Sequence, residues 1–183
     1  MKDIVVINSG GLGRELICLI EKINEKEKIW NIKGFVDENE ELHDKEINGY
    51  KVLNNLDWLM NQELYVVNAI ENPSERKKVS ERLDKSKNSF PILIHPSVEF
   101  SEYVDIGEGT VICSGCVITT NIEIGRNVII GPLSTISYDA KIGNYTTIKA
   151  GANISSEVTI KDCVYIGTGQ VVAEDIGEGK VLK

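Results

Sequence analysis

The chain has 183 residues, 42% of them hydrophobic, with 20 Lys and Arg against 28 Asp and Glu, for a net charge of −8. That length allows two small domains or one larger one with a real core, and the acidic balance argues against nucleic acid as a partner. No apolar run approaches the roughly 18 residues that a membrane span requires, and the four cysteines, Cys18, Cys113, Cys116 and Cys163, form no dense disulfide framework, so a reducing cytoplasm is expected.

Charge is uneven along the chain: residues 1–90 carry 14 basic and 17 acidic side chains, residues 91–183 only 6 and 11. Met1-Lys2-Asp3 shows no signal-peptide h-region or cleavage site and leads into a buried strand over residues 4–7. A glycine turn follows, Ser9-Gly10-Gly11-Leu12-Gly13. From Arg14 to about residue 26 the pattern is helical, with Leu16, Ile17, Leu19, Ile20 and Ile23 on one face. Residues 34–36 read as a second strand ending in Asp37, 54–60 as a short helix and 64–67 as a third strand. Asn72-Pro73-Ser74-Glu75 opens a helix to about residue 85, with Pro at a favoured first-turn position. Residues 90–94 read as a fourth strand. Strands alternating with helices imply a small parallel sheet. The glycine turn lies where open α/β sheets bind phosphates at a helix N-terminus. The dinucleotide fingerprint is incomplete, since Leu16 holds the third glycine position. Asp37 stands where a ribose hydroxyl could be read, or is a solvated loop acid.

From residue 94 a different period takes over. Ile94, Phe100, Ile106, Ile112, Ile118, Ile124, Ile130, Ile136, Ile142, Ile148, Ile154, Ile160, Ile166 and Val172 stand six residues apart, and twelve of the fourteen are isoleucine. Four residues past the anchors stand small or β-branched side chains, such as Val104, Thr110, Cys116, Ser134, Ala152 and Val164. Gly often follows the anchor, as in Ile106-Gly107, Ile124-Gly125 and Ile142-Gly143. A period of six suits neither an α-helix nor a plain alternating strand. It fits short strands joined by corners where Gly supplies unusual backbone angles, three strands making a triangular coil of about 18 residues. The anchors would then stack as internal ladders, each coil burying its neighbour's face. The register fails after Val172. The pattern argues against the alternative of an ordinary β-sandwich, whose short strands do not hold one register for this long. The expected architecture is an α/β domain over 1–92 and a β-helix over 93–183.

The chain resembles the bacterial sugar O-/N-acyltransferases of the sialic acid O-acetyltransferase (NeuD-type) family. The likeness is carried by Ser9-Gly10-Gly11-Leu12-Gly13-Arg14-Glu15, Gly34-Phe35-Val36-Asp37, Ile47-Asn48-Gly49-Tyr50, Ile94-His95-Pro96-Ser97, Ile142-Gly143-Asn144-Tyr145 and Val164-Tyr165-Ile166-Gly167-Thr168-Gly169. The resemblance implies a left-handed β-helix, a homotrimer, and acetyl-CoA held between neighbouring β-helices, with no metal and no insertion into a membrane. It implies that Gly11, Gly13 and Asp37 face the nucleotide of a nucleotide-linked sugar acceptor. Thr147, Ser156, Gly167, Thr168 and Gly169 would border the CoA arm.

One departure bears on the chemistry. The family places a general-base histidine just before an acid and the next Ile-Gly; here Tyr138 holds that slot, followed by Asp139. A second family histidine is often found where Thr147 stands. Ser156 holds the slot of an oxyanion-donating glycine, a role its backbone N–H can fill. An unperturbed tyrosine has a pKa of about 10 and is a poor base near neutrality. Either Tyr138 or Asp139 assists an intrinsically nucleophilic amine, or Tyr138 only orients the acceptor, or the chain binds without turnover. His95 reads as a structural residue at the entry to the coils and His43 as solvated. A zinc carbonic anhydrase on the same scaffold needs three histidines, and the chain has two. Cys113-x-x-Cys116 has no second pair to complete a zinc site.

Overall fold

The computed structural model describes residues 1–183 and divides into two compact units. The first comprises Met1–Glu71 and Lys78–Pro91, the second Asn72–Lys77 and Ile92–Lys183.

The first unit is an open sheet. Its elements are β1 (Lys2–Ile7), α1 (Gly11–Lys26), β2 (Trp30–Val36), β3 (Glu46–Ile47), β4 (Tyr50–Asn54), α2 (Leu56–Leu59), β5 (Tyr65–Asn68) and the later part of α3 (Pro73–Leu83), whose residues 73–77 fall in the second unit. The sheet order is β3-β4-β2-β1-β5, parallel except for β3 against β4. β1 is central, and its Ile4, Val5 and Val6 are fully buried, which is why it reads as an unbroken apolar run. α1 buries Leu16, Ile17, Leu19 and Ile20. It begins at Gly11, earlier than the pattern suggests, because glycines give no periodic signal. The β3–β4 hairpin is absent from the sequence reading. Asn48 and Gly49 sit at φ 49° and 82°, the two positive angles of a tight primed turn.

The strand expected over residues 90–94 does not join this sheet. Ser89 makes a single parallel bridge to Tyr65, while Leu93–Ile94 pairs with Val111–Ile112 as the first strand of the coils. Those coils form a parallel β-helix with three faces. The first face holds six strands, from Leu93–Ile94 to Val181–Leu182, and includes Thr147–Ile148 and Tyr165–Ile166. The second holds five, among them Val117–Ile118, Thr135–Ile136, Asn153–Ile154 and Val171–Val172. The third holds four, Val104–Ile106, Ile122–Ile124, Lys141–Ile142 and Thr159–Ile160. Ile118 pairs with Ile136, and Ile130 with Ile148, so the isoleucines form the internal ladders. Phe100 is the exception, 48% exposed in the first coil.

The glycines after the anchors serve proximity, not backbone angle. A Cβ on Gly125 would meet Asn144 N at 2.7 Å, and one on Gly143 would meet Asp162 N at 2.5 Å. The left-handed angles fall two residues further on, at Gly109, Gly115, Asn121, Asn127, Leu133, Asp139, Tyr145, Gly151, Glu157, Cys163 and Gly169. The coil also outlasts its repeat. Ile176 bridges Ile160, and Leu182 pairs with Ile166, so two residues are lost at one corner after Val172 and the six-residue step then resumes.

Candidate active site

In the first unit, β1 ends at the glycine turn. Asn8 adopts φ 75° and its side-chain oxygen accepts the Gly10 N–H at 2.7 Å. Gly13 cannot carry a side chain, since a Cβ there would lie 1.9 Å from Asn8 O. Around Gly11 there is open space. Gly10 caps α1 with no side-chain hydrogen bond, and the first turn holds no acid, so the positive helix end is left for an anion. Asp37 turns back toward this loop: Oδ2 accepts the Ser9 N–H at 2.8 Å and the Ser9 hydroxyl at 2.7 Å, and Oδ1 accepts the Asn39 N–H at 3.0 Å. Burial opposes ionisation of Asp37, but these donors and the nearby His43 outweigh it and hold its pKa below the ordinary carboxylate value. His43 is not simply solvated; its Nε2 lies 2.9 Å from Asp37 O.

In the second unit, Tyr138 and Asp139 form the corner between the second and third faces. Tyr138 is 50% exposed and Asp139 sits at φ 59°. Ser156 occupies the same corner one coil on, where the Glu157 N–H donates to Tyr138 O at 3.0 Å. Gly167, Thr168 and Gly169 form the corner between the first and second faces, Gly169 N–H donating to Ala150 O. Within one chain the second face therefore separates these two groups. Thr147 is in neither corner. It lies on the first face, fully buried, and its hydroxyl accepts from Arg76 Nη2 at 2.8 Å.

Arg76 is the residue the sequence reading missed. It is 1% exposed and belongs to the same compact unit as the coils. Its Nε donates to Asn127 O at 2.9 Å and its Nη2 to Tyr145 O at 2.5 Å. One guanidinium thus spans two successive coils. No pattern marks it, because it stands in a charged helical stretch, Glu75-Arg76-Lys77-Lys78. Cys116 is a buried thiol whose Sγ donates to Gly131 O at 3.2 Å, and burial pushes its pKa up, away from the thiolate a metal would need.

Two open grooves contain none of these candidates. One, of about 610 Å³, runs along the third face past Asp105, Glu123, Lys141, Asn144 and Thr159. The other, of about 730 Å³, lies by Glu21, Asn24, Trp30 and Tyr50, at the opposite end of β2 from Asp37. The candidate residues lie elsewhere, at the glycine turn of the first unit and at the corners and first face of the second.

Comparison with known proteins gives matches in both units. Residues 3–83 match the PglD N-terminal domain, and residues 103–138 and 121–156 match the six-repeat bacterial transferase hexapeptide. GDP-perosamine N-acetyltransferase of Escherichia coli O157:H7 is 31% identical over 174 residues, 93% of this chain and 78% of that protein. UDP-N-acetylbacillosamine N-acetyltransferase of Bacillus subtilis (strain 168) is 31% identical over 116 residues, 61% of this chain and 51% of that protein. In fold, the acetyltransferase domain of PglB from Neisseria gonorrhoeae FA1090 superposes with a TM-score of 0.78 at 22% identity, over 99% of this chain and 96% of that one. Perosamine N-acetyltransferase from Caulobacter crescentus, a substituted form in complex with CoA and GDP-perosamine, gives 0.79 at 23%, over 99% and 93%. Fold and matched relatives thus define a hexapeptide-repeat acyltransferase with an N-terminal α/β domain. The chain belongs to the bacterial sugar acyltransferases of the sialic acid O-acetyltransferase type, the family that its glycine turn and coils resemble.

Proposed function

We propose that the protein transfers the acetyl group of acetyl-CoA to an amine of a nucleotide-linked sugar during cytoplasmic synthesis of a surface glycan. The observation that carries the reading is the match to GDP-perosamine N-acetyltransferase through both units. Hexapeptide coils alone serve many chemistries; coils joined to this α/β unit are far more restrictive. In this reading residues 1–92 hold the nucleotide sugar at Gly11 and Gly13, and residues 93–183 hold acetyl-CoA.

The attacking nitrogen adds to the thioester carbonyl, the carbon–sulfur bond then breaks, and the nitrogen's proton ends on the CoA sulfur. The Ser156 N–H donates to no protein acceptor and supplies an oxyanion donor. The Tyr138 hydroxyl and the neighbouring Asp139 carboxylate orient the amine and relay its proton. A neutral amine already carries its nucleophilic lone pair, whereas a hydroxyl must lose a proton as it attacks. Tyrosine in the general-base position therefore favours N- over O-acetylation.

The two corner groups are brought together by a second copy. Leu133 and Val171 are 70% and 68% exposed, and with Val117 and Tyr138 they give the second face and its edges an apolar surface. A homotrimer that buries this surface places Tyr138 of one chain opposite the Gly167–Gly169 corner of its neighbour, with acetyl-CoA between them.

The test is release of CoA thiol from acetyl-CoA with UDP- and GDP-linked 4-amino sugars and with sialic acid, for wild type and Tyr138→His. Turnover by the wild type with an amino sugar is expected, and the histidine should raise kcat by up to about 10²–10⁴-fold. Turnover by Tyr138→His alone would favour a binding protein that has given up its base. Silence from both with every acceptor sinks the reading.

A further inference from the structure

Asp37 occupies the end of β2, the position from which a carboxylate can reach a ribose. Its hydrogen bonds point elsewhere. Oδ2 already accepts two, from the N–H and the hydroxyl of Ser9, and Oδ1 accepts one, from the Asn39 N–H. A carboxylate oxygen accepts about two hydrogen bonds, so Oδ2 is filled and one position remains on Oδ1. Bidentate reading of a vicinal diol, which needs an oxygen for each hydroxyl, is closed.

The same contacts say what the carboxylate does. Ser9 is 6% exposed and immediately precedes Gly10, the N-cap of α1. With Asp37 gripping Ser9 from the β2 side and the Asn8 side chain gripping Gly10 N–H from within the loop, the turn is fixed from both ends. Beyond it lie the open space at Gly11 and the uncapped start of a 16-residue helix. Asp37 is itself held in place, since its carbonyl oxygen accepts from His43 Nε2.

We infer that Asp37 and Ser9 are positioning residues for the glycine turn and that Asp37 does not read the ribose, so the acceptor site takes 2′-deoxyribonucleotide-linked sugars as well as ribonucleotide-linked ones. The inference rests on the nucleotide-sugar reading of this unit and narrows it. Affinity comes from the diphosphate on the turn, and discrimination at the sugar of the nucleotide is weak.

The experiment measures binding of UDP against dUDP, and GDP against dGDP, to the full chain by calorimetry. Wild type, Asp37→Asn, Ser9→Ala and the double variant are compared, each first checked by circular dichroism to be fully folded at the assay temperature, well below its own thermal midpoint. For whichever base binds, the ribo and deoxy forms should agree within about threefold in the wild type. Each single substitution should weaken both forms by roughly tenfold, and the double variant should be little worse than either. In turnover, KM for the nucleotide sugar should rise while KM for acetyl-CoA and kcat hold, a split that loss of stability alone does not produce. A large preference for the ribo form that disappears in Asp37→Asn would overturn the inference and restore a ribose-reading role. If the wild type binds none of the four nucleotides, the nucleotide-sugar reading itself falls, and this inference with it.

Discussion

At the scale of single residues, a buried charge and a half-buried one do different work. Arg76 gives its guanidinium to the carbonyls of Asn127 and Tyr145 and to the Thr147 hydroxyl. Removing it leaves acceptors buried without their donor, at about 1–3 kcal/mol for each. Arg76→Met should therefore lower unfolding free energy by about 3 kcal/mol or more in urea titration, and a loss below about 1 kcal/mol would show that the coils relax around the gap. Asp37 makes a pH-dependent contribution. Its pKa is depressed in the folded state despite the opposing effect of burial, so its stabilisation is present above the unfolded value of about 3.9 and is lost as pH falls through the folded one. The gap in thermal midpoint between wild type and Asp37→Asn should be widest near neutrality and close below about pH 4; a gap that does not change with pH would mean that the charge is not what holds Ser9.

At the scale of elements, the coils use glycine for two reasons that a single substitution each can separate. At Gly143 the obstacle is space, since a Cβ would sit 2.5 Å from the backbone of the next coil. At Gly151 there is open space but φ is +69°, so the obstacle is backbone conformation, worth about 1–2 kcal/mol for an L-residue. Gly151→Ala should lower stability by about that much, and Gly143→Ala by clearly more, measured by chemical denaturation. Equal losses would mean that the coils can spread by a few tenths of an ångström without cost. Leu133, Tyr145 and Glu157 already accept the left-handed angle. The corner conformation is therefore imposed by the ladder of strand pairs above and below it and not by local preference, and this is why it is invisible in the pattern of glycines.

At the scale of the whole molecule, the three faces of the prism differ in ways that matter for assembly. The first face buries its outward residues Val111, Ile129 and Thr147. The third carries the Glu123–Lys141 ion pair at 2.7 Å beside Asp105. The second and its edges expose Val117, Leu133, Tyr138 and Val171. Light scattering should give a mass three times that of the chain, and Leu133→Glu with Val171→Glu should reduce it toward one chain while leaving the β-sheet circular dichroism intact. A monomeric wild type would remove the shared groove from the proposed mechanism.

Much of this architecture was legible in the amino-acid order because its cause is periodic. Six-residue spacing of isoleucine from Ile94 to Val172 can be satisfied only by stacked coils, and the unbroken run at residues 4–7 only by a buried strand. The candidates Tyr138, Ser156 and Gly169 came from the family resemblance and not from the count, and all three lie at corners between the short strands. What the count could not reach are contacts between residues far apart in sequence with no repeat to announce them: Arg76 with Asn127, Tyr145 and Thr147, and Asp37 with Ser9. The shortened corner after Val172 likewise hid the last strands from the count, because two missing residues break the period while the strand pairs at Ile160–Ile176 and Ile166–Leu182 continue. Periodicity is a property of the chain, whereas the partner of a buried charge is decided only when folding removes the water that would otherwise satisfy it.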